Sequence, residues 1–518
     1  MAGPARTDGS ARTDGPARLG PPVVVGAVAL VAGIAAVYLI WGPSSGDLAA
    51  ATYRVGFFAR NGFAPYDGQW YSGYDTLGYS VLLGPLGVLF GVRLLAALGA
   101  VLATACFARL VDRPLSAAWF AIGVGVSLGS ARIAYTLGLG LGLAAVLAAA
   151  RRHHAAACGL AVATALASPL AGAFLGLAAI AGWPGRPTTR QRAGLAAAAL
   201  VPVGVLTLAF PAGGFEPFAA SSFWPVLGVT CVLAVLAPRL RLGLALYAVA
   251  CVAAFAIQTP VGGNAARLAA LFAGPLAAAV LWPERRVLLG VLVLPLAYLQ
   301  IQAPIRDVVS AAGDPSIQAA YYAPLEHFLA DQPGPPFRIE VPFTRDHWEA
   351  ARLAPRFALA RGWERQLDIA ENPLFYAPHL TPGAYRAWLD ADGVRFVALP
   401  DARLDYSARQ EAALIEAGQN YLRLVARLPH WRVFAVAGAR PLASPPASVT
   451  RLGADEFQLR FARPGQTEVR LHYTTYWSAP GACVSRAPDG FTDVRVRRPG
   501  LVTVTARLRV GGSACPAR

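Results

Sequence analysis

Residues 21–41 read PPVVVGAVALVAGIAAVYLIW, and residues 42–78 read GPSSGDLAAATYRVGFFARNGFAPYDGQWYSGYDTLG. The first run is uncharged and long enough to cross a bilayer. A signal-peptide core would be shorter, so the run predicts an uncleaved helix with its amino terminus inside. The second run is polar and aromatic, and predicts a long outer loop. Further apolar runs follow at 92–110, 115–131, 133–150, 155–167, 169–183, 193–211, 223–238, 242–258, 268–282 and 287–303. Residues 79–91 are apolar but broken by Gly84-Pro85, which predicts an interfacial or re-entrant helix. Ser168-Pro169 reads as the meeting point of two half-length spans.

Composition agrees with this reading. The 518 residues are 56% hydrophobic and 14% charged, against about 25% charged in an ordinary soluble protein. A single soluble domain, a disordered chain and a coiled coil are excluded. The net charge is +16, and with no lysine present all 45 basic residues are arginine. In the first 300 residues the arginines fall mostly in short clusters between apolar runs, the mark of cytoplasmic loops rather than of nucleic-acid binding. With about eleven crossings, Arg109/Arg113, Arg151/Arg152, Arg186/Arg190/Arg192, Arg239/Arg241 and Arg285/Arg286 all fall inside.

The same topology places the later part of the chain outside. The expected organisation is a disordered cytoplasmic tail at 1–20, a transmembrane domain at 21–304 with its outer loop at 42–78, an extracytoplasmic α/β domain at 305–440 and a β-sandwich at 441–518. Residues 317–331 and 407–426 predict helices, and Arg338–Phe343, Val394–Pro400 and Trp431–Gly438 predict strands. After Ala443, alternating stretches such as FQLRFA, TEVRLHYTTY, FTDVRVRR and LVTVTARLRV predict a sandwich of five to seven strands. Cys106, Cys158, Cys231 and Cys251 lie in apolar runs and read as packing residues. Cys483 and Cys515, if outside, suit a disulfide.

Between Leu19 and Arg306 the acidic residues are Asp47, Asp67, Asp75, Asp112, Glu216 and Glu284. Asp47, Asp67, Asp75 and Glu216 map to the outer side, as do Arg132, Asn264 and Arg267. Ionisable groups beside a bilayer are costly and commonly functional, although outer loops also need polar residues to face water. A carboxylate just after the first helix, Asp47, is placed to take a proton from an acceptor hydroxyl. It also suits the N-cap of the following helix. Arg132 and Arg267 lie at headgroup depth, where a lipid-linked phosphate would sit. Asn264 belongs to the Gly-rich turn Thr259–Arg267, whose backbone N–H groups favour anions. In the outer part, His347-Trp348-Glu349 and the stretch Arg361 to Asp368, with Trp363 and Glu364, combine aromatic faces with planar polar groups. That composition fits either a sugar platform or a docking surface. No phosphate-binding loop, dinucleotide fingerprint, GxSxG or metal-ligand spacing occurs.

Gly46-Asp47-Leu48 resembles the placement of the catalytic Asp in the GT-C superfamily of polytopic glycosyltransferases. Asn61-Gly62-Phe63-Ala64-Pro65-Tyr66 and Trp70-Tyr71-Ser72-Gly73-Tyr74 resemble the first-loop motif of the bacterial YfhO-like group within it. Gly393–Val397, Trp431–Phe434 and Tyr476–Gly481 resemble that group's carboxyl-terminal region. Many superfamily members carry a second acid or a His beside the first Asp, where this chain has Leu48, Ala49, Ala50 and Ala51. The resemblance implies a multi-pass protein of the bacterial plasma membrane that moves a sugar from a polyprenyl-phosphate donor to an extracytoplasmic envelope glycan or glycolipid. No cofactor is expected, and no sequence feature supports a divalent metal. Asp47 is then the base, Arg132, Asn264 and Arg267 hold the donor, and Tyr53, Arg54, Asp67, Trp70, Tyr71, Asp75, Glu216, Trp348, Glu349, Trp363 and Glu364 are candidate substrate contacts. A non-catalytic glycan-binding scaffold and a lipid or polysaccharide transporter are the competing classes. A transporter calls for ionisable residues deep in the membrane and for repeat symmetry, and the sequence shows neither.

Overall fold

The computed structural model describes residues 20–182, 187–211 and 213–508. The expected tail (residues 1–19), Arg186 and the expected Cys483 partner, Cys515, lie outside the described residues. Cys106, Cys158, Cys231 and Cys251 carry free thiols.

The first part is helical: α1 Pro21–Trp41, α2 Gly46–Asn61, α3 Leu83–Phe90, α4 Val92–Leu110, α5 Pro114–Ser127, α6 Ile133–Ala150, α7 His154–Ala167, α8 Pro169–Ala181, α9 Thr189–Ala209, α10 Ala220–Leu236, α11 Arg241–Ala256, α12 Ala266–Leu281 and α13 Arg286–Ala311. Among the described residues, seven helices are long and apolar enough to cross a membrane: α1, α4, α6, α9, α13, and α11 and α12 with the short turns leading into them. Four shorter apolar helices, α5, α7, α8 and α10, occupy the remaining expected runs. Local chemistry sets their ends. Proline opens α1, α5 and α8, where its missing N–H costs nothing. Thr188 and Gln191 form a reciprocal capping box at the start of α9. Ser168 joins α7 to α8 and caps α8 through Ala171 N–H.

Two expectations change here. The Gly84-Pro85 break does not interrupt α3, because Pro85 falls in its first turn, where a helix tolerates proline. Asp47 is not the N-cap of α2. Ser45 is, and Asp47 is the second helical residue.

Small residues let the helices approach closely. A side chain on Gly140 would lie 2.8 Å from the Gly99 carbonyl, so α4 and α6 pack backbone to backbone.

The later part carries two strand assemblies, and α13 runs into it without a break as far as Ala311. The first assembly is a five-stranded mixed sheet of β3 Arg338–Glu340, β4 Ala358–Leu359, β5 Val394–Pro400, β6 Leu422–Leu428 and β7 Trp431–Val436, in the order β4-β3-β5-β7-β6. β3 pairs in parallel with β4 and β5, whereas β5, β7 and β6 are antiparallel. The helix expected over 407–426 stops at Glu416. Gly418 takes φ +79°, a left-handed value that ends the helix, and the chain returns as β6.

The second assembly contains β8 Ala447–Leu452, β9 Glu456–Phe461, β10 Gly465–His472, β11 Trp477–Ser478, β12 Ala482–Arg486, β13 Phe491–Val496 and β14 Gly500–Ala506. They form sheets of order β10-β13-β12 and β11-β14-β9-β8. Inward residues such as Phe457, Leu459, Val469, Val494 and Val504 make the core between them.

The loop after α2 ties these parts together. Its short strands Tyr66–Asp67 (β1) and Tyr74–Asp75 (β2) pair antiparallel. The Tyr66 ring enters the sandwich core, 4.5 Å from Trp477, and its hydroxyl donates to the His472 carbonyl at 2.9 Å. Trp70 is fully buried, stacked on Tyr53 of α2 at 4.2 Å, and donates from Nε1 to the Ala350 carbonyl. Directly after Trp70, Tyr71, Ser72 and Gly73 all take positive φ.

Gly73, at φ +108°, faces Tyr66 so closely that an added Cβ would lie 1.5 Å from its hydroxyl oxygen. Gly73→Ala is therefore expected to cost more than about 3 kcal/mol, from strain plus the displaced Tyr66. Thermal unfolding of the detergent-solubilised protein measures this, and an unchanged midpoint would show that the loop does not hold the sandwich.

Candidate functional site

Where the helix bundle meets the strand-bearing part there is a cavity of about 1030 Å³. Its floor is built from chain segments far apart in sequence. Gly46 and Asp47 come from the start of α2, and Ser130 and Arg132 from the turn before α6. Ser168 and Pro169 come from the α7–α8 junction, and Asn264 and Arg267 from the start of α12. Its roof carries Arg345–His347, Trp363–Gln366 and Asp405, and Arg306 to Ser310 of α13 form one side. The floor and roof touch. A Cβ on Gly46 would lie 3.3 Å from Trp363 Nε1 and 3.5 Å from the Asp346 carbonyl.

The charges of the floor are arranged around Arg132. Its Nε lies 3.6 Å from Asp47 Oδ2, and its Nη2 lies 3.9 Å from Asp307 Oδ2. These are ion-pair distances but not hydrogen bonds, and the buried Nε has no hydrogen-bond partner. Arg267 lies with its guanidinium 5.6 Å from the Tyr135 ring centroid. It makes no ion pair among the described residues. Arg132 and Arg267 therefore present unused donors to one cavity, beside a half-exposed carboxylate.

Glu216 reaches the cavity because its backbone N–H bonds the Thr259 carbonyl at 3.1 Å, and Gly262 lets the Glu216 carbonyl approach to where a Cβ would clash. Burial pushes the Glu216 carboxyl up, and Arg267 draws it back down. Burial also raises Asp75 to about 6, against a hydrogen bond from Thr474 Oγ1 at 3.0 Å. Arg54 of α2 forms a buried ion pair with Glu364. Burial holds the Glu364 carboxyl above its ordinary value, and Arg54 counteracts it.

In the roof, His347 stacks on Trp363 with ring centroids 3.4 Å apart. Its Nε2 is 3.6 Å from Asp405 and its Nδ1 3.7 Å from Glu349. Burial works against the charged imidazole, but these two carboxylates outweigh it and raise its pKa. Burial likewise resists the Asp405 anion, yet His347 and Arg365 hold its carboxyl far below the usual range. The Arg365 guanidinium also lies over the Trp363 ring, at 4.9 Å. The Trp363 ring is thus engaged by the chain's own groups.

The cavity brings together Asp47, Arg54, Arg132, Asp75, Glu216, Asn264, Arg267, Trp363 and Glu364 from the sequence-derived set. It does not include Tyr53, Asp67, Trp70, Tyr71, Trp348 or Glu349, all of which are buried. The Tyr53 hydroxyl donates to Asp67 at 2.8 Å, and Asp67 also accepts from the Gln69 N–H. The Tyr71 hydroxyl accepts from Glu364 N–H at 2.7 Å. Glu349 accepts from Thr344 Oγ1, and Arg352 covers the Trp348 ring. These six are packed away from the cavity, and most of their polar atoms are taken by the chain itself, although Trp348 Nε1 and Glu349 Oε1 have no hydrogen-bond partner. Sequence reasoning missed Arg306-Asp307, which stands just past the last apolar run, a position that could have marked it. It also missed Tyr135, Arg345, Asp346 and Asp405, which have no local signal, whereas Arg365 lay within the stretch Arg361 to Asp368 that it singled out. Among the described residues, no group of three or more His, Cys, Asp or Glu side chains converges to hold a metal.

No protein-family model and no curated protein matches this chain. Among solved structures it is similar to the arabinofuranosyltransferase AftD from mycobacteria, with TM-score 0.46 and 15% identity over 95% of this chain and 57% of that one. Two classes of a point mutant of the same enzyme give TM-scores of 0.42 at 14% and 13% identity, over 95% of this chain and 60% of theirs. The chain spans less than two thirds of the length of these structures, and no residue role is carried over from them.

Because the folded state holds the Asp75 proton more tightly than the unfolded chain, stability should fall as pH rises from about 4 to about 6. Below that window both states are protonated, and above it both are ionised. Asp75→Asn should remove its share of the slope, on the order of 1 kcal/mol after allowing for partial exposure. Asp67, raised to about 6 by burial, contributes in the same sense. Unfolding midpoints at pH 4, 5, 6 and 7 check this. An Asp75→Asn slope identical to wild type would contradict it.

Proposed function

We propose that the chain is a membrane glycosyltransferase that moves a sugar from a polyprenyl-phosphate donor to an extracytoplasmic envelope glycan or glycolipid. The observation that carries this reading is the meeting of Asp47, Arg132 and Arg267 in one cavity at one end of the apolar bundle. A carboxylate there faces guanidinium groups with open donors, and in this reading a lipid headgroup phosphate lies at that level. In this reading the cavity opens to the extracytoplasmic side, as the arginine clusters require. The domain limits at 304 and 440 and the affinity with the YfhO-like group belong to the same reading.

The chemistry follows from charge. Asp47 takes the proton of an acceptor hydroxyl, whose oxygen attacks the anomeric carbon. The bond from that carbon to the phosphate oxygen breaks, and the electron pair leaves with the lipid phosphate. Arg132 and Arg267 meet the charge that develops there, in a site partly withdrawn from water. Attack from the face opposite the leaving phosphate inverts the anomeric centre. Arg54, Asp75, Glu216 and Glu364 line the sides where an acceptor sugar would present hydroxyls, and Asn264 sits beside Arg267 on the donor side. His347 and Asp405 close the roof over them.

Transfer of radiolabelled sugar from a panel of polyprenyl-phosphate donors, by membranes containing the chain, tests the reading. Asp47→Asn keeps the shape and removes the basicity, so transfer should drop by about 10²–10⁴-fold. Full activity in that variant would remove Asp47 from the role. Arg267→Ala should raise the donor KM by roughly tenfold or more, the loss of one charged hydrogen-bonding group, with little change in unfolding temperature. Absence of transfer in wild type, with every donor and with folded protein, would favour a glycan-binding scaffold or a transporter.

A further inference from the structure

Arg132 stands between two carboxylates rather than paired with one. Asp47 Oδ2 lies on its Nε side at 3.6 Å and Asp307 Oδ2 on its Nη2 side at 3.9 Å. Among the described residues the contact with Arg132 is the one contact of the Asp47 carboxylate, and its side chain is 41% exposed at the cavity. Asp307 is anchored. Ser130 Oγ donates to its Oδ2 at 2.7 Å, and Arg306 Nη2 donates to its Oδ1 at 3.4 Å.

The anchoring and the arginine come from the same turn. Ser130 ends the short helical turn Leu128–Ser130, Ala131 takes the left-handed φ of +52°, and Arg132 follows. That turn packs on α13 so tightly that a side chain on Gly129 would strike Val308 at 2.9 Å. One turn beyond Asp307, Ser310 Oγ donates to Asp346 Oδ1 at 3.1 Å, which fixes this end of α13 to the roof. Asp307 is therefore a counter-charge at a fixed place. A guanidinium facing a lone carboxylate closes onto it in a two-bonded fork. Here the second carboxylate pulls from the other end, and Arg132 reaches neither at hydrogen-bond distance.

We propose that Asp307 is a positioning residue for sugar transfer, one that keeps Arg132 from closing onto Asp47. The inference rests on the glycosyltransferase reading above. With Arg132 held midway, the lone pairs of Asp47 remain available to the acceptor proton. Asp307 touches neither reactant. It acts on the base through the arginine.

The role separates from a merely structural one in kinetics. Asp307→Asn retains an acceptor for Ser130 and removes only the charge, so Arg132 swings to Asp47. The kcat of transfer should fall by about tenfold or more. Binding of undecaprenyl phosphate to the solubilised full chain should stay the same or tighten, because a negative charge has left the site. Asp307→Glu restores the charge and should return kcat to within about threefold of wild type. In an Asp47→Asn background the same Asp307→Asn change should lower the residual rate no further, since its effect passes through Asp47.

Several outcomes would overturn the inference while leaving the function in place. These are an unchanged kcat in Asp307→Asn, a joint loss of kcat and undecaprenyl phosphate binding, no recovery in Asp307→Glu, or an additive loss in the Asp47→Asn background. Wild-type protein that neither transfers sugar nor binds undecaprenyl phosphate would overturn the function itself, and this inference with it.

Discussion

The burial of Trp70 is the contact on which the rest of the molecule depends. Its ring has no exposed surface, stacks with Tyr53 and Tyr74, and is met by Gly362, where any side chain would collide with it. An indole of this size removed from water contributes more than any neighbouring side chain can. It does so at the point where the loop after α2 leaves the bundle. Through it a single apolar core runs without a break from Val31 of α1 to Val433 of β7. The strand-bearing part is seated on the helices rather than tethered to them, and the cavity is the space enclosed at that seat.

Charge inside this seat is organised by the need to pair whatever is buried. Arg361 has almost no exposure, and its guanidinium takes both oxygens of Asp368 at 3.1 and 2.7 Å and a second carboxylate, Glu411, at 3.4 Å. Glu340 lies close by, and burial pushes both Glu340 and Glu411 upward, so protonation relieves the repulsion between them. This network is internal, although the Glu340 oxygens have no hydrogen-bond partner in it. It holds the stretch 361–368 in the shape that carries Trp363 to Gln366 into the roof of the cavity. The floor differs. Arg132 and Arg267 face the cavity without a hydrogen-bonded carboxylate, and Ser45 Oγ and the Tyr135 hydroxyl beside them also lack hydrogen-bond partners.

Much of the architecture was legible in local pattern. Apolar runs located the bundle helices and several of their ends to within a residue or two. Period-2 alternation foretold β9, β10, β13 and β14. The longest misreading, a helix over 407–426, failed because Leu422–Leu428 has only a partly alternating pattern, one that suits a helix face or an edge strand equally well. Tyr53, Asp67, Trp70, Tyr71, Trp348 and Glu349 were read as binding groups because aromatic rings and carboxylates have the same composition in a sugar site and in a buried polar network. Residue type states what a group can bond to. It does not state whether the partner is a ligand or the chain itself.

By itself the sequence determined a multi-helix membrane protein with a strand-rich end. It also placed Asp47, Arg132, Glu216, Asn264 and Arg267 together on one side, because hydropathy and charge act over a few residues at a time. Only the tertiary structure decided that Asp307 shares Arg132 with Asp47, that His347 and Asp405 roof the same cavity, and that Trp363 is already engaged. Arg132 and Asp307 are separated by 175 positions, and Arg132 and the roof residues by more. Electrostatic contact between them exists only once the continuous core around Trp70 has brought the two parts within a few ångströms.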